Sequence, residues 1–324
     1  MKVCSVVLVL ALAACSRNQS ANAENAPASQ PGNSAQSTSA PAVHFNGQAA
    51  LDYTKNVVDF GPRVVGSPGY LKTQAYLRSQ LKGSEVEEDT WTQKTPVGSK
   101  RMTNFIAKFA GSKPGIVVVA GHYDTKPIPG FVGANDGGSS TGLPLELAKE
   151  LHANGGKLPG YSVWVVWLDG EESIQVSNEM NNSNSTFGSQ HLARKWKQDG
   201  TLKDVKAFIL VDMIGDKDLD ILRDTNSTPW LEDVIADAAA RLGYQSHFFA
   251  TTTAMDDDHL PFAREGVPVA DLIDFTYGPN NADNSYWHTP QDTMDKLSAQ
   301  SFTIVGDVVL EAIRTLSNPP TGRT

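Results

Sequence analysis

Residues 165–173 read VVWLDGEES, an apolar run that ends in two adjacent glutamates where the chain turns. Two neighbouring carboxylates repel each other, and near a sheet end both lose hydration. A surface loop tolerates such a pair as solvated decoration. A metal site makes better use of it, with one carboxylate as ligand and the other as proton carrier.

Working outward, Ser162–Leu168 is one of four apolar runs, the others being Ile116–Ala120, Ala207–Val211 and Val267–Ile273. Val86–Gln93 and Asn104–Phe109 also read as strands. Helical spacing marks Gly47–Val58, Tyr70–Leu81, Ser139–His152, Thr228–Leu242 and Ser301–Leu316. Strands alternating with helices predict an α/β fold, its sheet mainly parallel and covered by helices on both faces. No internal repeat or break interrupts it, so a single domain is expected over residues 44–324.

Polar residues follow the strands. His122 and Asp124 come after IVVVA, Glu171 and Glu172 after VWVVWLD, Asp212 after AFILV, and Trp287-His288 beyond VPVADLID; Asp136 sits in FVGANDGG before a helix. Sites in open α/β sheets gather outside the carboxyl ends of strands, which would bring these groups to one rim. Singly, each has a plainer reading. His122 suits a satisfied structural histidine, Asp136 a turn or helix cap, Asp212 a buried polar network and His288 a turn. Together they suit one cation. Mixed His/Asp/Glu donors favour zinc, with manganese or cobalt able to occupy the same set, and Asp124 is placed to orient the His122 imidazole. His44, His152, His191 and His247 lack such neighbours and read as surface or packing residues.

The formal charge of −9 argues against nucleic acid as a partner, because phosphate binding needs a basic face. The two cysteines, Cys4 and Cys15, both lie in the N-terminal segment. MKVCSVVLVLALAAC has the short apolar core of a signal peptide over residues 1–14, and its ending resembles the lipobox of bacterial lipoproteins, with Cys15 lipidated. Ser16 after it suits export to the outer membrane, facing the periplasm or exterior. Residues 15–43 then read as a lipidated, disordered tether that cannot bury enough surface to order itself. No cysteine remains in the domain for a disulfide or a metal.

GHYDT, GANDGG, LDGEES, LVDMIGD and YWHT occur in the order found in the zinc aminopeptidase family that also contains glutaminyl cyclases. FGPRVVGSPG, FVGAND, DDDHLPFAREGVPV and Trp287 before His288 resemble its glutaminyl-peptide cyclotransferase branch. The resemblance spans roughly Leu51–Leu297. It implies a central mixed sheet flanked by helices, and a catalytic zinc on Asp136, Glu172 and His288. It further implies Glu171 as general acid and base, Asp212 and Asp257 as positioning groups for the reacting atoms, and Trp287 as the wall of a glutamine pocket. The implied reaction cyclises N-terminal glutamine to pyroglutamate with loss of ammonia, in a monomer acting on peptide or protein N-termini. One zinc is expected. The competing reading is an aminopeptidase, in which Glu171 activates water and a second zinc uses His122 and Asp212 with Asp136 bridging. A lipoprotein that binds metal or peptide without turnover is a third, and retention of Glu171 argues against it. One departure stands out: the cyclases carry a tryptophan soon after the paired glutamates, and here there is none before Trp196. The Asn-rich stretch Asn178–Asn184 in that region reads as an adjustable gate or a disordered insertion.

Overall fold

Val117 and Val119 face one side of the central sheet while Val118 and Ala120 face the other, as the two-residue period of a strand requires. Both sides are buried, which is why the run lacks polar alternation. The computed structural model describes residues 44–153, 157–175, 184–279 and 283–318. The expected signal peptide and tether, and residues 178–183 of the Asn-rich stretch, lie outside the described residues.

The strands are β1 (Glu85–Thr95), β2 (Gly98–His122), β3 (Lys157–Leu168), β4 (Val205–Asp212), β5 (Ile221–Asp224), β6 (Phe248–Thr253) and β7 (Val269–Ile273). The helices are α1 (Gly47–Val58), α2 (Pro68–Gln80), α3 (Ser140–Ala153), α4 (Phe187–Asp199), α5 (Pro229–Leu242), α6 (Leu260–Ala263) and α7 (Ala299–Ser317). In the main sheet β1 is antiparallel to β2, and β4 lies parallel to both β2 and β7. The sheet is therefore mixed and mainly parallel, flanked by helices, as expected.

One correction concerns β2. The sequence predicts two strands, Asn104–Phe109 and Ile116–Ala120, but the chain forms one, bent through residues 111–115. Phe105–Phe109 pairs with Trp167–Val163 in descending register, and Ile116–His122 pairs with Ser162–Leu168 in ascending register. Gly111 permits the bend, since an added Cβ would stand 2.3 Å from the Gly160 carbonyl oxygen. β3 is thereby enclosed between the two halves of β2. Its exit turn at Asp169-Gly170 delivers the paired glutamates to the middle of the rim rather than to an edge.

α1, α3, α5 and α7 cover one face through residues such as Ala50, Leu143, Ile235 and Val305. α4 and α6 cover the other through Leu192, Trp196 and Phe262. Trp196 is buried against Trp164 and Phe262. It is a core residue and does not replace the missing pocket tryptophan. β5, β6, α4 and α6 are additions to the predicted elements; β5 and β6 form a separate parallel pair. Side-chain caps fix two of the predicted helix starts, with Asn46 accepting from Ala49 N–H and Ser67 from Tyr70 N–H ahead of Pro68.

Candidate catalytic metal site

The parallel strands end at one rim, and the groups flagged there converge. His122 closes β2, and its Nε2 lies 3.1 Å from Asp212 Oδ1 at the end of β4 and 3.3 Å from Asp136 Oδ1. His288 Nε2 lies 3.2 Å from Glu172 Oε2 and 3.3 Å from Asp136 Oδ2. Two donor sets thus share Asp136, namely His122–Asp136–Asp212 and Asp136–Glu172–His288, each with its donor atoms within 4.8 Å of one another.

Asp136 occupies a tight turn, Ala134–Ser139, that leads into α3. Gly137 follows it at φ +81°, where a Cβ would come within 2.4 Å of the Asp124 carbonyl oxygen. Only glycine fits there without displacing the His122–Asp124 segment. Two buried side chains hold this turn. Asp292 accepts from the backbone N–H of Asn135 (2.8 Å) and Asp136 (3.1 Å). Arg63, fully buried, donates to the carbonyls of Tyr123, Val132, Gly133 and Asp136. Neither was singled out from the sequence, although Arg63 lies in FGPRVVGSPG and Asp292 four residues after His288.

The paired glutamates are held from beneath. Asp124 accepts from the backbone N–H of Glu171 (3.1 Å) and Glu172 (3.3 Å). Its Oδ1 stands 3.7 Å from His122 Nδ1, so Asp124 serves the glutamate turn as well as facing the imidazole. Ser140, at the start of α3, donates to Asp212 Oδ1 at 2.6 Å. Lys126 places Nζ 3.2 Å from His288 Nδ1. His288 itself adopts φ +54° and stacks on Trp287 with centroids 3.9 Å apart. His44, His152, His191 and His247 make contacts elsewhere: His44 pairs with Asp307 and His191 stacks on Trp91.

Electrostatics mark the cluster as short of positive charge. Burial, then Asp257, pushes the Glu171 carboxyl well above the usual range. Burial, then Asp136, raises Glu172 to about 7. Burial, then Asp212, raises Asp257 strongly. Burial also works against ionisation of Asp136, but the contacts with His122 and His288 outweigh it and hold that carboxyl well below normal. His288 rises to about 9 despite burial, through Glu172 and Asp136. Asp136 Oδ2 and Glu172 Oε2 are buried without a hydrogen-bond partner. Buried acids with orphaned oxygens beside an imidazole suit a divalent cation, and Asp136, Glu172 and His288 fit zinc.

A cavity of about 280 Å³ opens beside this cluster. Glu171, Asp212 and Asp257 face it, and Met213, Phe275 and Trp287 supply its apolar wall. Phe275 and Trp287 meet edge to face at 5.0 Å.

Comparison with known proteins places this geometry. The chain is 46% identical to a glutaminyl cyclase of an Acidobacteriales bacterium, with TM-score 0.81 over 91% of this chain and 99% of that one. A Zn-dependent exopeptidase from Parabacteroides distasonis gives 25% identity and TM-score 0.73, over 85% of this chain and 99% of the other. The glutaminyl-peptide cyclotransferase-like protein of Bos taurus is 30% identical over 261 residues, which is 71% of this chain and 66% of that protein. Residues 104–313 match the profile of peptidase family M28. That match covers well over half of the chain and takes in every metal-donor candidate from His122 to His288, and the chain belongs to peptidase family M28.

Proposed function

We propose that this protein is a zinc-dependent glutaminyl-peptide cyclotransferase, converting an N-terminal glutamine to pyroglutamate with release of ammonia. The observation that carries the reading is a buried proton carrier, Glu171, next to the donor Glu172 and facing a small cavity walled by Trp287 and Phe275. A glutamine side chain suits such a space, with its amide at the acidic end and its methylenes against the rings.

One zinc on Asp136, Glu172 and His288 supplies Lewis-acid polarisation of the substrate γ-carboxamide when bound. Glu171 takes a proton from the α-amine as that nitrogen attacks the carbonyl carbon of the γ-carboxamide, Cδ, and returns it to the departing amide nitrogen. The ring C–N bond forms, the carboxamide C–N bond breaks, and ammonia leaves. Burial and Asp257 keep the Glu171 proton affinity high, which suits a group that must both accept and return a proton. Asp257 and Asp212 hold the amine near its target, and the attack is intramolecular, so much of the entropic barrier is met by the substrate itself.

The His122–Asp136–Asp212 set favours a second reading, a two-zinc aminopeptidase. Zinc-loaded full chain, solubilised in detergent and incubated with a Gln-initiated peptide, separates the two by mass spectrometry. Loss of ammonia from an otherwise intact peptide supports the cyclase. Release of free glutamine and a shortened peptide means the aminopeptidase.

The proposal extends to placement in the cell. Residues 1–14 act as a signal peptide, Cys15 carries lipid, and residues 15–43 tether a monomeric catalytic body at the outer membrane. Leu12-Ala13-Ala14-Cys15 and the Ser/Asn/Pro-rich composition after it support this. Among the described residues no helix is long and apolar enough to cross a membrane.

A further inference from the structure

Three ionisable groups behind the Asp257 turn are buried as deeply as any in the protein. Asp224 at the end of β5, His259 at the head of α6 and Asp271 within β7 are each 0% exposed. His259 Nε2 lies 3.1 Å from Asp224 Oδ2, and its Nδ1 lies 3.6 Å from Asp271 Oδ2. Each ring nitrogen therefore faces a carboxylate. The three residues also bring one donor atom each to within 4.8 Å of one another, so a cation held through a single ring nitrogen is the competing reading of this triad. The arrangement is a clamp of close contacts rather than of aligned hydrogen bonds, since neither ring nitrogen has a hydrogen-bond partner.

The clamp reaches the catalytic cavity through Asp224. Its Oδ1 accepts from Met255 N–H at 2.9 Å, and Asn226 Nδ2 donates to the Met255 carbonyl at 2.6 Å. Ser227 Oγ donates to Asp224 Oδ2 at 2.9 Å and accepts from Asp271 N–H at 2.9 Å, closing the circuit. Met255 is thus fixed at both backbone polar groups, two residues before Asp257. Burial, then Asp257 and Asp212, raises the Asp271 carboxyl well above the usual range.

We propose that His259 is a positioning residue for the reaction: through Asp224 and Met255 it holds the Ala254–Asp257 turn so that Asp257 faces the cavity. This rests on the assignment of Asp257 to the reaction. The test is a double-mutant cycle in the zinc-loaded full chain, combining His259→Gln with Asp257→Asn. His259→Gln should lower kcat between about 10- and 100-fold with zinc content unchanged, the range of a misplaced reacting group. In the Asp257→Asn background the same substitution should have no further effect on kcat. Additive losses would overturn the proposal while leaving the role of Asp257 intact. Wild-type kcat in Asp257→Asn would remove Asp257 from the reaction and the proposal with it. A second zinc equivalent that His259→Gln releases would also overturn it, in favour of a buried cation site. Should His259→Gln fail to fold, Asn226→Ala breaks the exposed bond to the Met255 carbonyl. It should lower kcat several-fold, about an order of magnitude at most, again only when Asp257 is present; an unchanged kcat refutes the clamp.

Discussion

Gly137→Ala tests the architecture beneath the candidate metal donors. Gly137 has φ +81°, and an alanine there carries the left-handed penalty of about 1–2 kcal/mol. It also meets a wall: the new Cβ would lie 2.4 Å from the Asp124 carbonyl oxygen and 3.1 Å from His122 Cε1. Moving the first contact out to an ordinary 3.4 Å requires a shift of about 1 Å. That shift falls on the segment joining His122 to Asp124, which supports the Glu171–Glu172 backbone, or on Asp136 itself. A 1 Å misplacement near reacting groups costs on the order of 100-fold in rate. Gly243, at φ +80° with nothing within 4 Å of its Cβ, supplies the control, because Gly243→Ala carries the strain without the clash. Thermal unfolding of zinc-loaded protein should show both variants melting lower, by about 2–4 °C per kcal/mol. Only Gly137→Ala should lose kcat and hold zinc more weakly in a chelator competition. If Gly137→Ala matches Gly243→Ala in kcat and zinc affinity, the close packing under Asp136 does not govern the site.

Glu171→Gln should keep its zinc while kcat falls by about 10²–10⁴-fold, the range for loss of a general acid–base; metal content measured beside turnover checks both halves, and wild-type turnover would remove Glu171 from the reaction. Glu172→Gln should release zinc at chelator concentrations the native protein withstands, and unchanged affinity would end its assignment as a ligand. Asp274, fully buried, has its carboxyl pushed up to about 7, chiefly by burial. The folded state therefore holds a proton the unfolded chain releases, so this group's contribution is complete below about pH 4 and is lost as pH rises toward 7. Urea midpoints across that window should fall with pH, and Asp274→Asn should flatten the slope by up to about 1.4 kcal/mol per pH unit. Parallel curves for the two proteins would refute the shift.

The strand-end residues were legible because two local rules meet there: an apolar run long enough for a buried strand, then a polar group where the run stops. That located His122, Glu171, Glu172 and Asp212 from short windows. The bend in β2 was not legible, because GSKPG punctuates a chain break and a bend equally well. β5 and β6 are short, and the exposed Ala250–Thr252 portion of β6 carries no apolar pattern. Arg63 and Asp292 escaped notice for another reason. Each acts on backbone groups far along the chain, Arg63 on residues 123–136 and Asp292 on residues 135 and 136, and no local pattern encodes a partner at that separation. Asp124 was read through its neighbour His122, whereas its hydrogen bonds go to Glu171 and Glu172. The stretch that departs from the cyclase pattern falls largely outside the described residues; among the described residues the aromatic wall is Trp287 and Phe275.

The candidate metal donors Asp136, Glu172 and His288 lie 36 and 116 residues apart along the chain, so the set is complete only once the rim of the sheet and the segment beyond β7 have come together. A folding intermediate in which His288 has not docked lacks the third donor, however well its earlier strands have paired. A metal held by all three would therefore act as a seal on a finished fold rather than as a nucleus for it.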